Sequence, residues 1–400
     1  MILIWWVLIM GLGWNGEGRM VIMGLAAKCE FPAIFNFGDS NSDTGAISAA
    51  FQEVQFPNGE TFFGEAAGRL CDGRLIVDFI AEKLKVAYVN AYLDSVGSRF
   101  KHGANFATSA STIHTYNNTS FPRGGFSPFS LGIQLNQFTQ FKSRSNRLYH
   151  HESVELLRNP ILVKAELSLT YHAQENPLRM HFPGPDDFSR ALYTFDIGQN
   201  DLNVAFAIKS DDQAKAFISG IIGEFTQAIQ YLYEQGARAF WIHNTGPAGC
   251  LPSSVINYPL KPHNLDKYGC VQPKNEVAHE FNSQLKRAVS QIRKQLPLAA
   301  LTYVDVYSAK YTLITQAKEL GFVDPFVFCC GLAGNINIGC GRKAIINGTQ
   351  VIGGSCADPL SHVSWDGVHY THAANRWISN HILNGHYSDP PIPITEACYN

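Results

Sequence analysis

Phe35-Asn36-Phe37-Gly38-Asp39-Ser40-Asn41-Ser42-Asp43-Thr44-Gly45 is an apolar run that breaks abruptly into glycine, acids and hydroxyls. Such a run predicts a buried strand that delivers a polar turn at its carboxyl end. More than three hundred residues later, Ser364-Trp365-Asp366-Gly367-Val368-His369-Tyr370 places an acid three positions before a histidine. Each stretch alone is ordinary, since serine after Gly-Asp is a common turn residue and an Asp near a His occurs on many surfaces. Together they supply a hydroxyl early and an acid-supported imidazole late, so the question is whether the fold joins the two ends.

Outward from the first run, short apolar β-rich segments alternate with helical patterns, the order expected of βαβ units around a parallel sheet. Predicted strands cover Ala33 to Phe37, His102 to Ala107, Ala191 to Ile197, Ala239 to His243 and Leu301 to Val306, each ending in polar or glycine-rich turn chemistry. Phe217, Ile218, Ile221, Ile222, Phe225, Ile229 and Leu232 recur at steps of three and four before Gly236. Val277, Phe281, Leu285, Val289, Ile292 and Leu296 repeat that spacing. Both stripes predict helices that face the sheet and bind nothing. A further helix is expected after Asp72-Gly73-Arg74, through Leu75, Phe79, Ile80 and Leu84. The expected fold class is α/β, a three-layer α/β/α sandwich around a central parallel sheet of about five strands.

Residues 142–185 break the rhythm with basic and histidine-rich segments such as Leu148-Tyr149-His150-His151. A stretch this long without a strand predicts a helical insertion or lid within one domain spanning 29–400. His150, His151, His172 and His181 lack carboxylate partners at helical spacing, so no metal site is expected there.

Of the 400 residues, 46% are apolar and 16% charged, with a formal net charge of −2, which leaves no electrostatic footprint for nucleic acid or an anionic membrane. Residues 1–28 open with Ile2-Leu3-Ile4-Trp5-Trp6-Val7-Leu8-Ile9-Met10 and resemble a secretory signal, too short to give a stable membrane span. No basic residue precedes the apolar run, and Glu17 and Arg19 separate it from a second apolar patch, so a short hydrophobic anchor is the other reading. Nine cysteines, six of them between Cys250 and Cys356, favour disulfides in an oxidising compartment, with the pairing left open. Asn117, Asn118 and Asn347 head N-glycosylation acceptor patterns, which agrees with a secreted, extracellular protein.

A serine hydroxyl becomes a useful nucleophile when a positioned base takes its proton and an acid fixes the base's tautomer. Ser40, His369 and Asp366 supply those parts. Acyl transfer also needs donors for an oxyanion, commonly backbone N–H groups and an amide side chain. Asn200, in Gly198-Gln199-Asn200-Asp201 after a predicted strand, is placed to give an amide, and the backbone near Ala110, after Gly103-Ala104-Asn105-Phe106-Ala107-Thr108-Ser109, to give an N–H. In open α/β sheets ligands bind beyond the carboxyl ends of the strands, where these pieces lie.

Gly38-Asp39-Ser40 with Asp43 and Gly45, Gly103-Ala104-Asn105-Phe106-Ala107, Gly198-Gln199-Asn200-Asp201 and Asp366-Gly367-Val368-His369 resemble the four ordered blocks of the SGNH hydrolases, in their plant GDSL esterase/lipase branch. Phe62-Phe63-Gly64, Cys71-Asp72-Gly73-Arg74, Pro128-Phe129-Ser130-Leu131 and Phe240-Trp241-Ile242-His243-Asn244-Thr245-Gly246-Pro247 are similar to its early-nodulin-like members. The resemblance covers roughly residues 31–140 and 185–385. It implies a flavodoxin-like fold and ester hydrolysis with Ser40 as nucleophile, His369 as base and Asp366 as its orienting acid. The Ser40 and Ala110 N–H groups and the Asn200 side chain are then the implied oxyanion hole, with no metal or organic cofactor. Ala110 stands where the family has glycine, so a positive φ there would be strained. His372 stands where the branch often has an acid, and is expected on the surface.

Gly11-Leu12-Gly13-Trp14-Asn15-Gly16 matches a dinucleotide fingerprint, but it lies in the leader and no helix opening comes after it. A different class of reading is a glycoprotein that keeps the fold and binds cell-wall glycans with little turnover. Intact Ser40, Asn200, Asp366 and His369 argue against it. The substrate classes open to the enzyme reading are small-molecule, lipid and acylated-polysaccharide esters. Phe62, Phe63 and Phe106 are expected in the core, with a pocket wall as the alternative.

Overall fold

In the computed structural model, the described residues are 28–116, 126–150, 177–208, 210–257, 264–334 and 336–399, together with the backbone of two short antiparallel strands, Leu12–Trp14 and Met20–Ile22. The rest of the expected signal segment, Asn117, Asn118 and residues 151–176 of the expected insertion lie outside them. No helix among the described residues is long and apolar enough to cross a membrane.

Five parallel strands form the core of the sheet: β1 (Ile34–Gly38), β2 (Gly103–Asn105), β3 (Leu192–Asp196), β4 (Ala239–His243) and β5 (Ala300–Val304). A two-residue strand, β6 (Ser388–Asp389), adds an antiparallel edge on β5. The spatial order β6-β5-β4-β3-β1-β2 contains the flavodoxin-like order 2-1-3-4-5 and reverses at β1. The expected five strands are all present within one or two residues of their expected ends, and only the edge strand was not anticipated.

Side chains alternate across a strand, so the sheet needs cover on both faces. Phe35, Phe37, Tyr193, Phe195, Phe240 and Ile242 point into one core. Against them pack α2 (Leu131–His150), α4 (Asp211–Glu234) and α5 (Gln272–Gln295), through Phe138, Ile218, Ile222, Phe225, Phe281, Leu285 and Val289 among others. Ile34, Leu192, Ala239 and Trp241 enter the opposite core. There α1 (Ile76–Leu84), α6 (Val306–Thr315) and α7 (His372–Ile382) bring Ile76, Ile80, Leu313, Ile378 and Ile382. Between β3 and α4 lies the short α3 (Gln199–Ala205). The three-layer expectation therefore holds.

The insertion boundary moves. Residues 142–150 complete α2, whose buried Phe138, Phe141 and Ser145 carry one helical stripe past the expected start. Exposed Arg144 and Arg147 on the opposite side gave that segment its irregular look.

Disulfides tie down what the sheet does not. Cys29–Cys398 closes the two ends of the domain, Cys250–Cys270 pins the entry to α5, and Cys329–Cys356 with Cys330–Cys340 staples a small separate sheet built on Cys330–Ala333, Ile336–Asn337 and Gly354–Ser355. The ninth cysteine, Cys71, is a buried thiol.

Phe35 sits at the hinge of the first core, fully buried with ring centroids 5.1 Å from Phe188, 5.3 Å from Phe138 and 5.3 Å from Tyr193. Phe35→Ala should lower unfolding free energy by about 3–5 kcal/mol in urea titration. A loss below about 1 kcal/mol, well under that range, would mean that the core closes around the gap.

Candidate active site

β1 ends at Gly38, where the chain turns so tightly that a Cβ would lie 2.3 Å from Ser42 Oγ and 2.7 Å from the Asp196 carbonyl oxygen. Only glycine lets β1 pass its neighbour at this point. Asp39 then donates its N–H to the Asp196 carbonyl at 3.1 Å and accepts the Asn41 N–H at 3.0 Å. That turn leaves Ser40 half-buried on the wall of a cavity of about 790 Å³. Ala110, Asn200 and His369 line the same cavity, and Asp366 stands behind His369. The fold has brought the two ends of the sequence together.

The acid–imidazole pair is made within one turn. Asp366 Oδ1 accepts the N–H groups of Val368 at 2.9 Å and His369 at 2.8 Å, while Oδ2 meets His369 Nδ1 at 2.6 Å. Gly367, at φ 93°, permits that curl. Because a carboxylate only accepts, the contact puts the proton on Nδ1 and leaves Nε2 free as a base. Burial is the largest single influence on each and disfavours both charges, but the opposing contacts, led by the partner, together outweigh it: Asp366 is held below the usual carboxylate range and His369 is raised above an ordinary histidine. No hydrogen bond joins Ser40 to His369 among the described residues, a looseness common in catalytic pairs without substrate.

Asn200 opens α3 just beyond β3. Its amide donates to the Ser111 carbonyl at 2.9 Å and makes a longer contact to Asp39 Oδ2 at 3.4 Å. Ala110 has φ 61°, the left-handed conformation expected at this position. It is held there because Ser109 donates its N–H and hydroxyl to Asp43 Oδ2 at 2.7 and 3.0 Å, and because the Ala110 carbonyl accepts Ser127 N–H at 2.9 Å.

Three sets of residues were given no role of their own from the sequence. Asp43 also caps Gly45, Ala46 and Ile47, so one carboxylate fixes the serine turn to the Ala110 loop. An Asp ahead of a helix is a recognisable start signal, and it could have been read as one. Asp201 takes the Ile113 and His114 N–H groups at 2.9 and 3.1 Å and is pushed up to about 7 by burial. Behind Asp39 lies a buried charged group. Asp196 accepts from Gln199 at 2.8 Å and meets His243 at 3.3 Å, and Lys310 places its ammonium 4.6 Å from the Tyr370 ring centre. Burial raises Asp39, with Asp196 adding to it, and burial lowers Lys310. Nothing in the sequence distinguishes Lys310 from a solvated helix lysine.

His372 is not on the surface. It is buried, stacks on Phe62 at 5.5 Å and accepts the Arg74 N–H at 3.1 Å on Nδ1. Its ring therefore anchors the loop before α1. Phe106 lies in the core beside Phe37, and neither it nor Phe62 or Phe63 lines the cavity.

The profile of the GDSL-like lipase/acylhydrolase family matches residues 34–382. A GDSL esterase/lipase of Arabidopsis thaliana is 50% identical over 373 residues, covering 93% of this chain and 90% of that protein. Alpha-L-fucosidase 3 of Arabidopsis thaliana is 48% identical over 366 residues, covering 90% and 92%. The GDSL esterase/lipase ENOD8 of Medicago truncatula is 45% identical over 375 residues, covering 93% and 91%.

The left-handed Ala110 is strained by its Cβ, at a cost of about 1–2 kcal/mol, against which glycine brings roughly 0.5–1 kcal/mol of added chain entropy. Ala110→Gly should therefore raise stability by about 0.5 kcal/mol in chemical denaturation, the difference of those terms. A clear loss of stability would show that the methyl group makes contacts worth more than the strain.

Proposed function

Because the chain belongs to the plant GDSL esterase/lipase branch of the GDSL-like lipase/acylhydrolase family and is a carboxylic ester hydrolase, we propose that Ser40, His369 and Asp366 perform its reaction through an acyl-enzyme. The observation that carries this reading is the 2.6 Å contact between His369 Nδ1 and Asp366, in a cavity that His369 shares with Ser40, Ala110 and Asn200. Ser40 Oγ attacks the ester carbonyl as His369 Nε2 takes its proton. The oxyanion is received by the N–H groups of Ser40 and Ala110 and by the Asn200 amide, whose long contact to Asp39 is easily given up. His369 then hands the proton to the departing alcohol, and a water activated by the same nitrogen releases the acid.

One relative bears the name of a glycosidase, a chemistry that ordinarily needs two carboxylates flanking the bond. Among the described residues Glu53 is the one carboxylate lining this cavity, which favours the serine reaction. The glycan-binding reading without turnover has no observation of its own in its favour. An extracellular setting is supported by four disulfides and by Asn347, exposed at a hairpin turn with its acceptor pattern intact. The substrate is an ester of a small molecule, a lipid or a glycan.

A fluorophosphonate should label Ser40, and Ser40→Ala should abolish both labelling and p-nitrophenyl acetate hydrolysis, while Asn200→Ala lowers kcat by roughly 10²–10³-fold. Unlabelled Ser40, or turnover surviving in Ser40→Ala, would sink the nucleophile assignment.

The pH dependence has a definite sign. The base must be neutral, and His369 is raised above its ordinary 6.5, by Asp366 foremost among its partners, against the lowering effect of burial. Hence kcat/KM should fall on acidification with a midpoint above 6.5. Asp366→Asn should shift the His369 titration, followed by NMR, to lower pH. A midpoint at or below the free-histidine value of about 6.5 would contradict the pairing.

A further inference from the structure

One wall of the cavity beside Ser40 takes no part in the acyl-transfer chemistry. It consists of Cys340, Gly341, Arg342 and Lys343, contributed by the disulfide-stapled segment. Its backbone is held on several sides. Cys340 is bonded to Cys330, Gly341 N–H donates to the Gly353 carbonyl at 2.8 Å, Arg342 N–H to Gly339 at 3.1 Å, and the Arg342 carbonyl accepts Gly353 N–H at 2.9 Å. Gly341, at φ 68°, lies so close to the loop after the short helix Ala46–Ala50 that a Cβ would sit 2.8 Å from the Phe56 carbonyl oxygen. That loop supplies Glu53, Gln55 and Asn58 to the same cavity, and Asn58 in turn accepts the indole N–H of Trp365, next to Asp366, at 2.8 Å. The wall is thus a fixed frame registered against the catalytic turn.

Two cations stand on this frame. Arg342 and Lys343 are exposed, and neither forms an ion pair among the described residues. Against them the lining carries, among the described residues, one acid, Glu53, whose carboxylate accepts a contact from the Gln55 amide at 3.4 Å. The protein as a whole has a net charge of −2, so this mouth is positive against the general trend. Of the amides in the lining, Asn200 serves the oxyanion and Asn58 is held by Trp365 and the Gln55 carbonyl, which leaves Gln52 and Gln55 to meet hydroxyl groups. The larger apolar side chains are four, Ile47, Val54, Leu70 and Val368, a small apolar share of the lining.

We propose that Arg342 and Lys343 are specificity-determining residues that draw a carboxylate-bearing substrate to the site, and that the substrate is a short-chain acyl ester on a uronate-containing glycan. Gln52 and Gln55 take sugar hydroxyls, the cations take a neighbouring uronate, and Ser40 attacks the acyl carbonyl. The proposal rests on Ser40 being the nucleophile. Because the cations are exposed, each contact contributes modestly, about two- to fivefold, and both are screened by salt.

The test compares acetate release from partly acetylated polygalacturonate and from partly acetylated xylan of equal acetyl content. At low salt the native protein should favour the charged polymer in kcat/KM by about tenfold, the product of two such contacts. In the double variant Arg342→Gln, Lys343→Gln that ratio should fall close to unity, as it should for the native protein in molar salt. Circular dichroism and the melting temperature establish that the variant is folded, and Arg342→Glu, taken alone, should lower the ratio further than Arg342→Gln. Hydrolysis of neither polymer, no preference in the native protein, or a preference that survives the double variant overturns the proposal. Failure of the nucleophile assignment is separate: it shows as p-nitrophenyl acetate turnover in Ser40→Ala, whatever the polymer ratio.

Discussion

Asn36, buried in the middle of β1, hydrogen-bonds to both of the strands beside it, and the active-site architecture depends on that bridge. Its amide donates to Asn105 Oδ1 on β2 at 2.7 Å and to Ser42 Oγ at 3.0 Å, while its own oxygen accepts from Thr194 on β3 at 2.7 Å. Asn105 continues the chain with donations to the Ser42 carbonyl at 2.6 Å and Thr44 Oγ1 at 2.9 Å. A buried polar network is tolerated only when its members are satisfied, which restricts it to one geometry. Here that geometry sets the register of three strands and the path of the turn leaving β1. The sheet reverses its order of growth at β1, so the turn emerges into the crevice that such a reversal creates.

From that fixed point the site is assembled by carboxylates that accept backbone N–H groups. Asp43 joins the start of the helix Ala46–Ala50 to Ser109, and Asp201 fastens the Ile113–His114 segment to α3. These two acids determine where the Ala110 N–H and the Asn200 amide lie relative to Ser40, and Ala110 is driven into a left-handed conformation to satisfy them. Backbone strain of this kind persists when the surroundings over-determine it. Asp196, held below the usual carboxylate range, keeps a negative charge behind the serine turn; burial, with that charge adding to it, raises Asp39, and Lys310 faces both from α6 without exposure to solvent.

The sequence was legible wherever a local pattern had a local cause. β1 was readable because an apolar run must stop where Gly38 passes Asp196, and α4 and α5 because each buries a continuous stripe against one face of the sheet. What was not legible depends on contacts between distant segments. Lys310 looks like any helix lysine until α6 packs it beneath Tyr370, and His372 looks like a surface residue until Phe62 and Arg74 close over it from the far end of the chain. Pairing of the cysteines was equally hidden, since Cys29 meets Cys398 across 369 residues. The boundary at residue 142 misled for the opposite reason: Arg144 and Arg147 make α2 look irregular on its exposed side while Phe141 and Ser145 keep its buried side regular.

The same distinction between local and distant contacts bears on the candidate triad. Asp366 and His369 meet inside one turn, through three contacts to a single carboxylate, so their pairing forms wherever that turn forms. The relation of His369 to Ser40 has no such local support. It is set by the Asn36 network on one side and, on the other, by Trp365 hydrogen-bonded to Asn58 and its carbonyl accepting from Cys330 at 2.6 Å in the stapled sheet. A pair held by tertiary contacts alone can remain loose until a substrate fills the gap between its members, whereas the acid and imidazole are preorganised at all times. The stapled segment therefore does two things with one set of bonds: it carries the wall of the cavity at residues 340–343 and, through Cys330, holds Trp365 and with it the turn that bears His369.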